Sequence, residues 1–317
     1  MSIEIIRGLE NYTRSSKRPV VATIGTFDGI HRGHQEILRR VMTTAENNDC
    51  DPLLITFHPH PRVLVTPADA PLLLTTIEEK EQFLPDFYDG KVLIIDFDIR
   101  IMDLTAEQFV GDVLIETVGM KRLVVGYDHA FGKNRSGGVV ELNKMGKELG
   151  FEMEVVDPIV FENRRVSSSI IRRLLVTNKY AEAVRLLGHP YAIFGKVEKG
   201  IGLGRKIGYP TANIQYNQRK LLPGEGVYAC YAHIGEVRKN GMMFIGRNHF
   251  NPEQRITVEA NLFNLDDDLY GKELIVCPIE QIRKNCKFES TDALVRQIEK
   301  DKEEISKIIQ RETQKCQ

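Results

Sequence analysis

A chain of 317 residues exceeds what one ordinary hydrophobic core serves and suits two domains of roughly 100–200 residues each. With 42% hydrophobic and 27% charged residues it falls in the globular class, and no apolar run approaches the ~20 residues that span a bilayer, which argues against a membrane protein. Lys plus Arg number 43 against 44 for Asp plus Glu, so no overall field draws in nucleic acid or anionic lipid, and any anion must be held by local geometry.

The opening segment, MSIEIIRGLENYTRSSKR, lacks the basic, apolar and small-residue cleavage regions of a secretory leader, so a cytoplasmic location is expected. Cys50, Cys230, Cys277, Cys286 and Cys316 are scattered without a CxxC pair and read as reduced thiols, neither disulfides nor zinc ligands. From Pro19 to about Gly188, short β-branched runs (VVATIGTF, PLLITF, KVLIIDF, RLVVGY, FEMEVVD) alternate with helical patterns (GHQEILRRVMTTAENN, TAEQFVGDVLIETVG, VVELNKMGKELG). The near-continuous apolar strands predict a parallel sheet covered on both faces, an α/β Rossmann-like domain. After Pro190 the pattern changes to strand-like segments (YAIFGKVEKG, GVYACYAHIG, GMMFIG, RITVEANLF, KELIVCPI) separated by Gly, Pro, Asn and Asp, with no helix-length pattern between them. That predicts a small antiparallel β-barrel, closed to avoid open edges. A charged amphipathic helix, TDALVRQIEKDKEEISKIIQR, ends the chain, with Leu294, Ile298, Ile305, Ile308 and Ile309 near one face for core packing.

Two constellations carry chemistry. In IGTFDGIHRGH (24 to 34) a strand ends in Gly25, turns through Asp28 and Gly29, and enters a helix. The unpaired N–H groups and positive dipole end of such an entrance suit a nucleotide phosphate, and His31 and His34, three apart, can reach the same phosphate. An HxxH pair also suits a metal site or two solvated histidines; zinc would need a third and a fourth ligand, and the position after a Gly-flanked strand end favours phosphate. The second constellation, GKVEKGIGLGRKIGYPTANI (195 to 214), places five glycines in fourteen residues, which lets backbone amides approach phosphate or simply builds barrel turns. It lacks the GKS or GKT of a Walker A loop.

GTFDGIHRGH resembles the GxFDGxHxGH signature of the adenylyltransferase half of bacterial bifunctional riboflavin kinase/FMN adenylyltransferases; the shorter HxGH element belongs to nucleotidylyltransferases more widely. The resemblance implies that Gly25, Phe27, Asp28, His31 and His34 hold ATP, with the two histidines stabilising charge on the α-phosphate. TFHPHP (56 to 61), GYDHAFGKNRSGG (126 to 138) and RVSSSIIRRLL (165 to 175) are similar to three further family segments. They imply Phe57, Pro59 and Pro61 on the flavin side, Asp128 and Arg165 organising the site, and Ser168, Ser169 and Arg172 on ATP; Ser169 stands where the family usually has Thr, and a serine here could also cap the next helix. His58 and His60 read as parts of a rigid loop.

GxxxGRxxGxPTANI resembles the defining motif of the riboflavin kinase family. It implies ATP contacts from Gly202, Gly204, Lys206, Gly208, Pro210, Thr211 and Asn213, with Thr211 and Asn213 offering hard oxygens to Mg²⁺. ITVEANLFNLDDDLYG (256 to 271) matches the family's Glu on a strand before an acidic turn, making Glu259 the implied general base. IRKNCKF is similar to IRxxxKF and places Arg283 at the flavin, although a surface ion pair would read the same. GRNHF (246 to 250) departs from the family's GxRPTF while keeping Arg247 and Phe250. The expectation is an adenylyltransferase over 1–186 and a kinase over 187–317, acting on riboflavin, FMN and ATP with Mg²⁺, without nucleic acid, membrane or an obligatory protein partner.

Overall fold

The computed structural model describes residues 3–14, 16–132, 137–200, 202–247, 256–265 and 267–315. The chain forms two compact units, the first made of residues 1–72 and 80–167, the second of 73–79 and 168–317.

The first unit is built on six parallel strands: β1 (Glu4–Arg7), β2 (Val20–Ile24), β3 (Asp51–His58), β4 (Lys91–Asp96), β5 (Met120–Gly126) and β6 (Glu152–Val156), in the order β1-β4-β3-β2-β5-β6. The sequence pattern gave no sign of the short edge strand β1. Because β2 lies between β3 and β5, the order reverses beside it, and its C-terminal end is where a doubly wound sheet opens a crevice. Alternate residues of the central strands (Val20, Ala22, Ile24; Leu53, Ile55; Leu93, Ile95; Leu123, Val125) pack in one cluster with Phe109, Val113, Leu142 and Met145. Each fully buried aliphatic of this kind contributes roughly 1.5–3 kcal/mol. Helix α1 (Arg32–Asn47) follows β2 and buries Leu38, Val41 and Ala45. The predicted helix over 105–119 starts with a capping box between Thr105 and Gln108, then widens to π-type turns over Phe109–Thr117, Val118 N–H donating to Val113 O at 2.9 Å. The wider turn delivers Phe109, Val110, Val113, Leu114 and Val118 to the core together.

The second unit is a closed antiparallel barrel of β7 (Ile193–Glu198), β8 (Ala212–Tyr216), β9 (Gly226–Ile234), β10 (Val237–Gly246), β11 (Thr257–Leu262) and β12 (Glu273–Lys284), ordered β7-β8-β11-β10-β9-β12. Five of these strands match the predicted segments; β8 is an addition, hidden because its residues begin inside the PTANI motif. The terminal helix α-C (Thr291–Lys315) buries Ile305 and Ile308 against Ala229 and its neighbours, as its apolar face predicts. Helices over Ser168–Val176 and Tyr180–Leu187 also belong to this unit: Gly224 N–H donates to Leu175 O (3.0 Å), and Tyr180 Oη donates to Pro278 O (2.7 Å). The boundary between the compact units thus falls at 167/168, ahead of the expected 186, because Leu175 and Tyr180 tie these helices to the second unit. Cys50, Cys230 and Cys277 are buried free thiols and Cys286 an exposed one. Among the described residues no helix is long and apolar enough to cross a membrane.

Residues 73–79 are fastened to the barrel by charge. Lys220 Nζ donates to Glu79 Oε2 (2.6 Å) and Leu74 O (2.7 Å) and lies 4.0 Å from the Tyr191 ring centre, both charged side chains being 1% exposed. The carboxylate also accepts from Thr76 N–H (2.9 Å) and Phe194 N–H (3.2 Å). A buried pair satisfied in this way tolerates the loss of neither partner alone. Lys220→Ala is expected to lower unfolding stability by ~3–5 kcal/mol in urea titrations, whereas Lys220→Met with Glu79→Leu is expected to cost far less, because no unpaired charge is left behind.

Candidate active sites

The first unit's candidate site grows from the end of β2, all five residues of which are buried. Gly25 N–H still pairs with Ile55 O (3.0 Å), and beyond it the chain reverses within six residues. Phe27 (φ 45°), Gly29 (φ 93°) and Ile30 (φ 39°) all adopt left-handed backbone. Glycine does so freely; Phe27 and Ile30 do so under strain that surrounding contacts must hold. The turn delivers His31 to the N-cap of α1, where its Nδ1 accepts the His34 N–H at 3.3 Å. The two imidazoles stack with centroids 3.7 Å apart and planes 15° apart, and the Phe27 ring lies 4.9 Å from that of His34. Asp28 and His31 are buried, and His34 is half-buried. The expected meeting of the two histidines on one helix face is therefore present, at the positive end of a 16-residue helix. Among the described residues no group of three or more His, Cys, Asp or Glu is arranged for a metal.

Phe57 is the next-to-last residue of β3, with its ring edge-on to Phe97 (5.5 Å) and tilted against Phe109 (6.3 Å). Pro59 is exposed and Pro61 half-buried, and His60 Nδ1 accepts the Arg62 N–H (3.2 Å), a turn-building role. Asp128 and Arg165 come together: the guanidinium is 3.6 Å from Asp128 Oδ2 and 4.2 Å above the Tyr127 ring, whose hydroxyl donates to Asp128 at 3.1 Å. Lys133, Asn134, Arg135 and Ser136 of the same motif lie outside the described residues. Ser168, Ser169 and Arg172 open a helix of the second unit, Ser168 and Arg172 half-buried and Ser169 exposed.

Sequence reasoning missed Lys80. It is 5% exposed and donates from Nζ to Thr26 O (2.6 Å) and Thr56 Oγ1 (3.2 Å), directly behind the loop. Burial pushes its ammonium down to about 8, opposed by the charges of Asp28 and Glu81. The signal was its spacing: Ile77, Lys80 and Leu84 are all buried, so the lysine occupies the apolar stripe, while Glu78, Glu79 and Glu81 beside it suggest a solvated face.

The second unit holds a cavity of about 540 Å³. Glu259 on β11 faces Asn213 on β8 in direct register, and Thr211 Oγ1 donates to Glu259 Oε2 at 3.0 Å. Thr257 Oγ1 lies 3.4 Å from the other carboxylate oxygen, and Asn261 Nδ2 fixes the Pro210 carbonyl at 2.7 Å. Thr211, just ahead of β8, Asn213 on β8 and Glu259 on the adjacent β11 thus present oxygen donors, a hard set that fits a small divalent cation. The glycine loop is close-packed: a methyl at Gly200 would collide with the Asn213 carboxamide and one at Gly204 with the Tyr209 carbonyl, while Gly202 (φ 73°) and Gly208 (φ 85°) carry left-handed turns. The Lys206 side chain, Ile201, Asp266 and the Asn248, His249 and Phe250 of GRNHF lie outside what is described. Arg283 lines the cavity, held by the buried Asp301 carboxylate of the terminal helix (Nε to Oδ2 2.9 Å), which also accepts from Gln297. Leu294 and Ile298 line the same cavity, so part of the helix face expected to pack in the core serves the site.

Two family models divide the chain in the same order as these sites, FAD synthetase over residues 13–170 and riboflavin kinase over 187–309. A bifunctional riboflavin kinase/FMN adenylyltransferase from Escherichia coli K12 is 36% identical over 300 residues, covering 94% of this chain and 96% of its own. This chain belongs to that bifunctional family. Further members are 35% identical in Pseudomonas fluorescens (94% and 96% covered) and 30% identical in Listeria monocytogenes (90% and 90%). A solved structure from Streptococcus pneumoniae, named as a macrolide-efflux protein, superposes with a TM-score of 0.81 at 29% identity, covering 96% of this chain and 98% of its own. The family's riboflavin kinase half contains the glycine loop, where Gly204 offers the sharpest check. Gly204→Ala sets a side chain against backbone and is expected to reduce FMN formation on the order of 100-fold through misplacement of the loop, with FAD formation from supplied FMN unchanged.

Proposed function

We propose that the barrel converts riboflavin and ATP to FMN and ADP, that the α/β sheet unit converts FMN and ATP to FAD and pyrophosphate, and that residues 1–186 and 187–317 are the functional halves. The observation that carries the first reaction is the convergence of Thr211, Asn213 and Glu259 in the lining of the 540 Å³ cavity. Glu259 is the general base, taking the proton of the riboflavin 5′-hydroxyl as the γ-phosphoryl group transfers. Thr211 and Asn213 would hold Mg²⁺, whose charge offsets that of the ATP phosphates. Gly202, Gly204, Gly208 and Pro210 shape the backbone against the phosphates, Lys206 adds positive charge, and Arg283, oriented by Asp301, faces the flavin.

For the second reaction, the stacked His31 and His34 at the helix entrance suit the α-phosphate, where charge grows as the FMN phosphate attacks. The attacking phosphate is already ionised, so orientation and charge stabilisation suffice, and no protein base is required. Gly25, Phe27 and Asp28 form the turn that aims the helix. Phe57, Pro59 and Pro61 offer a stiff apolar surface for the isoalloxazine, and Asp128 with Arg165 organises the polar side. Ser168, Ser169 and Arg172 are assigned to ATP on resemblance alone. The proposed substrates are small molecules; the balanced charge, 43 Lys plus Arg against 44 Asp plus Glu, supports action without nucleic acid, and the proposal includes a cytoplasmic site of action without an obligatory protein partner.

Chromatography of products from riboflavin, ATP and Mg²⁺ is expected to show FMN, then FAD; absence of both overturns the assignment. Glu259→Gln is expected to slow FMN formation ~10²–10⁴-fold and spare adenylyl transfer. Replacing His31 and His34 by Ala should do the reverse, and equal loss of both activities in folded variants would contradict two separate sites.

A further inference from the structure

The buried lysine behind the histidine loop has no role in the chemistry above. Lys80 Nζ reaches the Thr26 carbonyl at 2.6 Å, and Thr56 Oγ1, itself fully buried, both donates to that carbonyl (3.3 Å) and accepts from Lys80 (3.2 Å). A peptide unit is planar, so a carbonyl pinned inward turns the next N–H outward and sets the backbone of the following residue. That residue is Phe27, at φ 45°, whose ring rests 4.9 Å from His34, which in turn stacks on His31. A strained conformation at a side-chain-bearing residue persists only where its surroundings over-determine it. The buried ammonium supplies that constraint through a charge-assisted hydrogen bond, the stronger kind.

We propose that Lys80 is a positioning residue for adenylyl transfer: by fixing the Thr26 carbonyl it holds Phe27 in the left-handed turn that sets the His31–His34 stack. The inference rests on the assignment of that stack to the α-phosphate. Titration of Lys80 separates this role from plain stability. The charged groups acting on it are Asp28 from the loop and Glu81 from its own helix (Ile77–Phe83), and burial outweighs both, lowering the ammonium to about 8 from an ordinary 10.5. Between those values the folded chain releases its proton before the unfolded chain does, so this group makes the fold more stable as pH rises. Positioning runs the other way, because the neutral amine binds the carbonyl more weakly.

The test uses the full chain as wild type, Lys80→Met and Lys80→Arg, measuring FAD formation from FMN and ATP, FMN formation from riboflavin, and the imidazole signals of His31 and His34 by NMR. Lys80→Met is expected to lower the adenylyl-transfer kcat about 10- to 150-fold, more than it raises KM for ATP, with the kinase rate unchanged. In wild type that kcat is expected to fall ~5- to 10-fold through an inflection near pH 8 while thermal stability holds or rises. The inflection should vanish in Lys80→Met, and Lys80→Arg should recover part of the rate without it. A kcat within about threefold of wild type in Lys80→Met, or an unchanged inflection, overturns the proposal. Should Lys80→Met also lose kinase activity, wild type decides: histidine signals that do not move as Lys80 titrates overturn the proposal, and signals that move support it. A wild type that makes no FAD would refute the adenylyl-transfer reading, and the NMR comparison would still judge the positioning role on its own.

Discussion

Removing an ion from water is costly, and this chain accepts that cost at two consecutive residues, Glu79 and Lys80. Each is tolerable because polar groups replace its hydration. Glu79 receives Lys220 and two backbone N–H groups, and so ties residues 73–79 to the barrel of the second unit. Lys80 instead faces a carbonyl and a hydroxyl, with no carboxylate in direct hydrogen-bonding range among its described partners. Its burial is therefore incompletely compensated, and that burial pushes its ammonium down to about 8.

The two candidate sites differ in the means they offer for holding the triphosphate proposed for each. In the first unit the donors gather at one helix entrance, and geometry comes from a turn that forces two side-chain-bearing residues, Phe27 and Ile30, into left-handed backbone. In the barrel the proposed cradle is the backbone itself, where Asn213 and the Tyr209 carbonyl leave no room for a side chain at Gly200 and Gly204. The difference fits the chemistry proposed for each. Attack at the α-phosphate needs donors concentrated around one phosphorus, whereas transfer of the γ-group needs the whole tail presented with its end exposed to a base.

The terminal helix links packing to function within the second unit. Ile305 and Ile308 secure it against the barrel, and the turns before them carry Asp301, Ile298 and Leu294 to the cavity. Asp301 is 2% exposed, and its hold on Arg283 removes most of the conformational freedom of a long side chain before any ligand arrives. A guanidinium placed in advance in this way loses less entropy on binding than a free one.

Strands covered on both faces, the helix-entrance histidines and the glycine loop were legible in the sequence, because each rests on local chemistry: apolar continuity, three-residue helical spacing, or residue types that only certain turns accept; Glu259 was singled out only by the family resemblance of its segment. Closure of the barrel was expected as well, but its sixth strand and the order of the strands were not legible, since β8 starts within a motif rather than after a turn, and strand pairing is a long-range choice. Nor was the attachment of the helices after Ser168 to the barrel, which rests on contacts such as Tyr180 with Pro278, nearly a hundred residues away in sequence. Lys80 shows the divide most clearly. Its place in an apolar stripe is written in the chain, but whether a lysine there escapes to water or stays buried depends on what lies opposite. Only the tertiary structure brings Thr26 and Thr56 to meet it, because hydration of a charge is decided by neighbours that local sequence does not specify.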